Sequence, residues 1–356
     1  MIGAAVVGSV LTFVMLSVSG ALDRPDPIVR PAEASFVEVR EIVTDSGDST
    51  AAAVGRKVTP SVVSIEIGID TTQGFRAVGG GSGVIIDTAG LIVTNEHVVQ
   101  DAESVKVVLH DGRTYDAEVV GTDTDTDLAV LRITGHDLLP VELGTTGDLT
   151  IGDIAIAVGN PLGLQGGASL TVGVVSAFER QVTAAGASTL FGMLQTDAPI
   201  TQGSSGGALV DDHGRLVGIT TAIGVSTAGA EGIGFAIPVE LMQRVTDELI
   251  TDGTVRHAFL GVELQNDFTE GADGSTIPSG ALVAGLAPQS GTAAEAAGIV
   301  AGDVITTFEG QPITSRETLI SSLRRLRVGD EVSIDVIRDG ALVTLTVVLG
   351  ENLDTP

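Results

Sequence analysis

The sequence predicts a mainly β protein of two domains, the second of which is a small α+β domain. From Val58 onward, short β-branched runs such as SVVSIEIG, GSGVIID and DLAVLRI alternate with Gly, Asp and Asn turns, a pattern typical of an all-β barrel or sandwich. The segment PVELMQRVTDELITDG then has apolar residues at helical spacing and ends at Gly253. Beyond Phe259, five strand-like and two helical runs fit within about 90 residues, a normal size for a compact domain.

The composition excludes several classes of function. There are 18 basic residues against 46 acidic ones, giving a formal net charge of −28, whereas a nucleic-acid groove needs clustered Lys and Arg. The absence of cysteine excludes disulfides, a thiol nucleophile and cysteine-ligated metals. No HExxH or similar ligand spacing occurs. We therefore predict no nucleic-acid partner, no metal and no cofactor.

The first segment of the chain is strongly apolar. Residues 2–22 carry no ionisable side chain, and about 20 apolar residues span a bilayer as a helix. The run predicts an N-terminal transmembrane anchor, and the competing interpretation is a cleaved signal peptide with Ser19, Gly20 and Ala21 at its cleavage site. No Lys or Arg precedes the apolar run, so the flanking charges do not distinguish an anchor from a signal peptide. Residues 23–50 are rich in Pro, Asp, Glu and Ser and predict a flexible linker.

Three residues have the chemistry that amide hydrolysis at a serine requires: a nucleophile, a base and an acid that orients the base. His97 lies in LIVTNEHVV at the end of an apolar strand, Asp127 directly precedes the strand Leu128 to Ile133, and Ser205 lies in QTDAPITQGSSGGALVD. Taken singly, each has a simpler interpretation as a surface histidine, a turn aspartate or a linker serine. We expect the remaining histidines to be solvated, because they occur in turn-like contexts: His110, His136, His213 and His257.

Taken together, the three residues favour a catalytic triad. Their order, His–Asp–Ser, is that of chymotrypsin-type enzymes and differs from the orders of subtilisins and α/β-hydrolases. The spacings of 127 − 97 = 30 and 205 − 127 = 78 residues suit a chymotrypsin-like double β-barrel with the triad between the barrels. The glycines around Ser205 permit a turn in which the N–H groups of Gly203 and Ser205 point at one spot, as in an oxyanion hole.

These motifs resemble those of a known family. TNEHVV, TDLAVLRI and QTDAPITQGSSGGAL are similar to the TNxHVV, DLAVLK and QTDAAINPGNSGGAL motifs of the HtrA (DegP/DegS-like) serine proteases. The resemblance covers roughly residues 55–250 and implies a trypsin-like serine protease domain over residues 51–252. In that domain His97 is the general base, Asp127 its orienting acid and Ser205 the nucleophile. Ser204 replaces the usual Asn, Thr201-Gln202 replaces Asn-Pro and Pro199 replaces Ala, all in the loop that must form the oxyanion hole.

The resemblance also implies which residues meet the substrate and the activating signal. No Asp falls at the base of the first substrate pocket, so we predict cleavage after small aliphatic residues rather than after Lys or Arg. The expected sensor of activation is the region around Arg180. The predicted pocket residues are Pro199, Ile200, Ile233, Gly234 and Phe235.

The C-terminal segment, residues 258–350, resembles a PDZ domain. FLGV, formed by Phe259, Leu260, Gly261 and Val262, is similar to the loop whose backbone N–H groups bind a peptide carboxylate. Together with Leu323, these residues predict a groove for apolar peptide C-termini. The simpler interpretation is that FLGV is a buried first strand.

The expected function is that of an ATP-independent serine endopeptidase acting on misfolded or signalling proteins. By resemblance it is a homotrimer held at the cell membrane by residues 2–22, with the catalytic domain on the extracytoplasmic side. Signal cleavage would instead give a secreted or periplasmic enzyme. Because the 199–204 loop departs from the family pattern, a peptide-binding chaperone or scaffold with a dormant protease domain is the alternative.

Overall fold

The computed structural model describes residues 49–351 except 73, 161–166, 184–187, 222–231, 271–274 and 289–290. The predicted anchor over residues 2–22 and almost all of the predicted linker over residues 23–50 lie outside this described part. Among the described residues, none of the helices combines the length and the apolar character that crossing a membrane requires.

The first six strands close into a barrel in the order β1-β2-β3-β6-β5-β4. All neighbours are antiparallel, and the interior is filled by aliphatic side chains such as Ile65, Ile92 and Leu131. The GGGSG segment, residues 79–83, belongs to β2 and pairs with β1. The strands are β1 (Val62–Thr71), β2 (Gly74–Ile85), β3 (Leu91–Thr94), β4 (Ser104–Val108), β5 (Thr114–Asp123) and β6 (Leu128–Ile133).

The next seven strands form a second sheet that also returns on itself. Its order is β11-β8-β9-β10-β13-β12-β7, and β11 additionally pairs with β12, which closes six of the strands into a ring. The predicted mainly β architecture, with a barrel, is thereby confirmed. The strands are β7 (Glu142–Leu143), β8 (Ile154–Gly159), β9 (Ser169–Thr183), β10 (Thr189–Thr196), β11 (Ala208–Val210), β12 (Arg215–Thr221) and β13 (Gly234–Pro238).

Within the described residues, three helices and two 3₁₀ turns accompany the barrels. Helix α1 (Thr50–Val58) is capped by the Ser49 side chain, and α2 (Glu96–Val99) follows β3 directly. Helix α3 (Val239–Asp252) has the predicted bounds and packs its apolar face against β5, β6 and β12, joining the two barrels. The 3₁₀ turns are Thr59–Ser61 and Thr146–Asp148.

The C-terminal region has its own sheet, helices and apolar core. The sheet order is β15-β16-β17-β19-β20, β18 pairs with β17, and β14 pairs with β21. Helices α4 (Ala293–Ala297) and α5 (Arg316–Arg324) start after Thr292 and Ser315, whose side chains accept a hydrogen bond from the helix backbone. The strands are β14 (Ala258–Phe259), β15 (Val262–Glu270), β16 (Thr276–Leu286), β17 (Val304–Phe308), β18 (Gln311–Pro312), β19 (Glu331–Arg338), β20 (Ala341–Val348) and β21 (Gly350–Glu351).

The C-terminal region contacts the barrels through helix α5, which packs on β9 and β10. At the end of α5, Arg324 donates to the backbone oxygen of Asp125 and lies 5.5 Å from the centre of the Phe191 ring. Arg325 pairs with Glu179. This contact brings the C-terminal region to the turn that leads into Asp127.

Candidate functional site

The pairing of β3 with β6 brings His97 and Asp127 together. Thr94, the last residue of β3, lies opposite Ala129 at the start of β6. Helix α2 therefore begins where the turn between β5 and β6 ends. His97 lies in the first turn of that helix, not at the end of a strand as its sequence context predicts.

The Asp127 carboxylate is surrounded by hydrogen-bond donors. His97 Nδ1 lies 2.8 Å from Oδ1 and 2.9 Å from Oδ2, and the backbone N–H of His97 donates to Oδ1 over 3.1 Å. The hydroxyl of Thr221 donates to Oδ2 over 3.2 Å, and Asn95 Nδ2 donates to the Asp127 backbone oxygen over 3.0 Å. The carboxylate is thus held in one orientation from both barrels.

The contact with Asp127 determines the tautomer of His97. A carboxylate only accepts hydrogen bonds, so Nδ1 carries the proton and the neutral ring keeps its lone pair on Nε2. The imidazole side chain is 42% exposed, whereas Asp127 is buried. His97 can therefore accept a proton at Nε2 while Asp127 stabilises the cation that forms.

Two acidic groups change the pKa of His97. Burial opposes the charged imidazolium, but the hydrogen bond that His97 donates to Asp127 and the negative charge of Asp127 outweigh it, so the pKa of His97 lies above its ordinary value. Glu96, the adjacent buried carboxyl, contributes in the same direction. Burial and the charge of Asp127 in turn raise the pKa of Glu96.

Ser205 lies in a tight turn that the surrounding strands hold by its carbonyl groups. The Ser204 oxygen accepts from the Gly207 N–H over 3.0 Å and from the Thr220 hydroxyl over 2.6 Å. The Ser205 oxygen accepts from the backbone N–H of Ser82 over 2.8 Å. The turn is an ordered structure and not a spacer.

The turn lies directly against the segment that carries His97. A Cβ at Gly206, whose φ is +81°, would lie 2.3 Å from Thr94 Oγ1 and 3.2 Å from Asn95 N. The backbone after Ser205 therefore lies in contact with the start of α2, and only a glycine, which has no side chain, fits at this position. Ser205 itself is 5% exposed, and the imidazole of His97 is partly exposed.

The five predicted pocket residues lie in different environments. Ile200 packs over Gly234, where a Cβ would lie 2.7 Å from Ile200 Cδ1. Phe235 is buried in an apolar cluster to which both barrels contribute. Ile233 and Pro199 are exposed, and the Pro199 oxygen accepts from the Thr171 hydroxyl over 2.8 Å.

Arg180, the predicted sensor, bonds within its own sheet. Its Nε donates to Gln195 Oε1 over 2.9 Å. The neighbouring Glu179 instead reaches the C-terminal region, through Arg325.

The FLGV segment borders a cavity of about 310 Å³ between β14, β15 and helix α5. The Leu260 and Gly261 oxygens accept from Ala294 and Ala287, over 2.8 and 3.0 Å. In a trans peptide the next N–H points the opposite way, so the N–H groups of Gly261 and Val262 point away from these bonds. The cavity is lined by Asp125, His257, Ala258, Phe259, Leu260, Gly261, Val262, Leu264, Arg316, Ile320, Leu323 and Arg324.

The expectation that His257 is solvated is wrong. Its side chain is 14% exposed, and Nε2 lies 2.8 Å from Asp123 Oδ1 and 3.9 Å from Asp125 Oδ2. The Asp and Gly-rich context indicated a turn, but the docking of the C-terminal region covers this residue. No local pattern signals such a contact.

Sequence reasoning also missed the hydroxyl groups that hold Asp127 and the turn of Ser205. Thr220 and Thr221 are buried at the end of β12, and Ser82 is buried within β2. Asn95 lies inside the TNEHVV motif, so its proximity to His97 was a usable signal. Ser82 and Thr221 lie 121 and 94 positions from the residues they bond, Gly203 and Asp127, and are brought to them only by the fold.

A possible cation cluster among the described residues is formed by Asp211, Asp212 and His213, whose ligand atoms lie within 4.8 Å of one another. The Asp211 carboxylate already accepts from Arg215 Nε over 2.7 Å and from the backbone N–H groups of His213 and Arg215. These bonds close the turn between β11 and β12, which accounts for the proximity of the three side chains.

Two family models match the chain. A trypsin-like peptidase domain matches residues 81–219, and a PDZ domain matches residues 258–349. The first contains His97, Asp127 and Ser205, and the second contains the FLGV segment.

Similar proteins cover most of the chain. The periplasmic serine endoprotease DegP of Salmonella typhimurium is 40% identical over 285 residues, covering 79% of this chain and 58% of that protein. The periplasmic pH-dependent serine endoprotease DegQ of Escherichia coli is 35% identical over 345 residues, covering 89% and 74%. The solved structure of the HtrA-type protease AlgW with tripeptide has a TM-score of 0.69 and 37% identity, covering 86% of this chain and 99% of that one.

Proposed function

We propose that this chain, which belongs to the HtrA-type family of serine proteases, hydrolyses peptide bonds in misfolded or signalling proteins without ATP. We assign hydrolysis to residues 51–252 and the binding of peptide C-termini to residues 258–350. The observation that carries the proposal is the His97–Asp127 pair, with Nδ1 2.8 Å from the carboxylate, beside the ordered turn of Ser205.

In the proposed mechanism, the Ser205 hydroxyl attacks the carbonyl carbon of the scissile bond. His97 Nε2 takes the hydroxyl proton and then gives it to the leaving amine, and Asp127 stabilises the intermediate imidazolium. Water then attacks the acyl carbon, His97 Nε2 takes a proton from the water and gives it to the Ser205 oxygen, and the acyl group leaves as a carboxylic acid. The bonds that Asp127 accepts from His97 and Thr221 support its role as a fixed orienting group.

We assign the oxyanion hole to the N–H groups of Gly203 and Ser205. The Thr220 hydroxyl and the Gly207 N–H donate to the Ser204 oxygen. Because the peptide between Ser204 and Ser205 is trans, the Ser205 N–H points in the direction opposite to that oxygen. Such fixed N–H groups stabilise the charge that develops on the carbonyl oxygen. Both of these hydrogen bonds are accepted by the Ser204 backbone oxygen and not by its side chain. The serine that replaces the family's Asn therefore leaves the backbone arrangement intact.

The proposed specificity is for small aliphatic residues before the cleaved bond. Ile200 over Gly234 supports an apolar pocket. A peptide library should be cut preferentially after Val, Ala or Ile, and preferred cleavage after Arg or Lys would contradict the assignment. The cavity beside Phe259 and Val262 supports binding of apolar peptide C-termini.

We propose an extracytoplasmic location, a homotrimer and an anchor formed by residues 2–22. The word periplasmic in the names of the DegP and DegQ relatives supports the location. N-terminal sequencing of the mature protein distinguishes the anchor from a cleaved signal, because cleavage would remove residues 2–22. Light scattering of the purified protein measures the assembly.

The deciding experiment compares wild type with Ser205→Ala on unfolded casein, with and without peptides that end in apolar residues. We expect turnover by wild type only, with a loss of at least about 10⁴-fold in the variant. Equal turnover by both proteins would refute the triad. No turnover by wild type with any peptide would favour a chaperone or scaffold.

A further inference from the structure

Ser82 is bonded to the nucleophile turn from the opposite barrel. It belongs to β2 of the first barrel and is 0% exposed. Its hydroxyl donates to the Gly203 oxygen over 2.7 Å, although the two residues are 121 positions apart, and its backbone N–H donates to the Ser205 oxygen over 2.8 Å. One residue therefore binds the carbonyl groups on both sides of Ser204.

The remaining bonds of Ser82 fix the direction of its hydroxyl proton. The Asn160 N–H donates to Ser82 Oγ over 2.7 Å, so the hydroxyl accepts there and its own proton must go to Gly203. The Ser82 backbone oxygen accepts from the Thr94 hydroxyl over 2.7 Å. Ser82 thus connects the end of β8, the end of β3 and the Ser205 turn.

The hydroxyl acts on one peptide plane. The peptide between Gly203 and Ser204 is held at its oxygen by Ser82 and at its N–H by the Thr201 oxygen, over 2.9 Å. With that plane fixed, the direction of the Gly203 N–H depends only on ψ and φ of Gly203 itself, and its φ is +91°. Without the Ser82 bond the plane can rotate and carry the N–H with it, because Gly203 has no Cβ to limit the rotation.

We propose that Ser82 is a positioning residue for the oxyanion hole, holding the Gly203 carbonyl so that the Gly203 N–H faces the reacting carbonyl oxygen. The inference rests on the proposed peptidase function and adds a residue outside the triad and its motifs. It assigns the Ser82 hydroxyl to transition-state stabilisation, because the oxyanion exists only there. A bond that merely supports the fold would change stability and leave kcat per folded molecule unaltered.

The test compares Ser82→Ala with Ser64→Ala in the full-length protein. Ser64 is a buried serine that pairs with Ser82 across the β1–β2 ladder, so it is a matched control for loss of a buried hydroxyl in the same sheet. We expect kcat on a peptide substrate to fall about 10- to 100-fold in Ser82→Ala, less than for deletion of a whole oxyanion donor, with KM within about twofold. Ser64→Ala should retain kcat within about twofold.

Two further readouts separate positioning from folding. A peptide boronate, which forms a tetrahedral adduct with Ser205, should lose affinity in Ser82→Ala by the same factor as kcat/KM. An uncleaved peptide bound in a Ser205→Ala background should bind equally with and without Ser82→Ala. The pH at which kcat/KM rises should stay unchanged, because the Ser82 hydroxyl bonds Gly203 and Asn160, whereas His97 bonds Asp127. If the variant folds less efficiently, active-site titration counts the folded sites, so that kcat is calculated per folded site.

Each result has one meaning. Loss of kcat and boronate affinity in Ser82→Ala alone supports the inference. Activity of Ser82→Ala within about twofold of wild type, or an equal loss in Ser64→Ala, overturns it while the peptidase assignment stands. Wild type that matches Ser205→Ala on all substrates overturns the proposed function and this inference with it.

Discussion

At the scale of single residues, the charge of Asp127 raises the pKa of His97, the proposed general base. A general base must be neutral, so activity falls as the pH drops below the pKa of His97. Burial would lower that pKa, but the hydrogen bond and charge of Asp127 raise it above the ordinary value of 6.5. The acidic limb of kcat/KM should therefore lie above pH 6.5 in a pH–rate profile of the wild type.

The change Asp127→Asn tests this assignment. Asp127 has a φ of +56°, a conformation that Asn also tolerates, so the variant should fold. Without the carboxylate the limb should move to lower pH, and kcat should fall by about 10³- to 10⁴-fold because the imidazole is no longer held in the right tautomer. Asp116→Asn, at an exposed carboxylate on β5, should leave the profile unchanged. An unmoved limb in Asp127→Asn would show that another group controls it.

At the scale of elements, the turn of Ser205 depends on close approach of its backbone to β2 and β3. A Cβ at Gly206 would lie 2.2 Å from the Ser82 oxygen and 2.3 Å from Thr94 Oγ1, and φ is +81°. Gly206→Ala must therefore move the turn, and we expect kcat/KM to fall by at least about 100-fold, the scale of a lost oxyanion donor. Gly152→Ala is the control, because its φ of +100° imposes similar strain with no atom within 4 Å. Equal activity of the two variants would contradict this role of the turn.

The same elements show what a sequence can and cannot predict. His97 and Asp127 flank apolar strands, and the bounds of β6 follow directly from its β-branched run. Ser82, Thr221 and His257 were not found because each acts on a partner that only strand pairing or domain docking brings near. A local pattern has no information about a bond that spans 121 residues, such as that from Ser82 to Gly203.

At the scale of the whole molecule, the C-terminal region is bonded to the turn that precedes Asp127. Burial disfavours the charged Asp123 carboxylate, but the hydrogen bond with His257, whose Nε2 lies 2.8 Å away, outweighs it and holds the pKa of Asp123 below its ordinary value. Arg324 bonds the backbone of Asp125, which also lines the cavity beside Phe259. A peptide in that cavity would thus contact a residue only two positions from Asp127.

Replacing Arg324 by Met tests how far this contact orders the turn. The change keeps much of the side-chain volume but removes the charged bond to Asp125 and the contact with the Phe191 ring. Loss of a charged hydrogen bond costs about 1.5–3 kcal/mol, so the amides of residues 123–127 should exchange hydrogen at least about tenfold faster. Arg327→Met, which removes the ion pairs of an exposed guanidinium with Asp247 at 3.3 Å and Glu248 at 3.7 Å, should cost under about 1 kcal/mol and leave these amides protected. Hydrogen exchange followed by mass spectrometry measures both. If the two variants exchange alike, the turn is ordered by the first barrel alone, and a peptide in the cavity beside Phe259 has no mechanical route to Asp127 through Arg324.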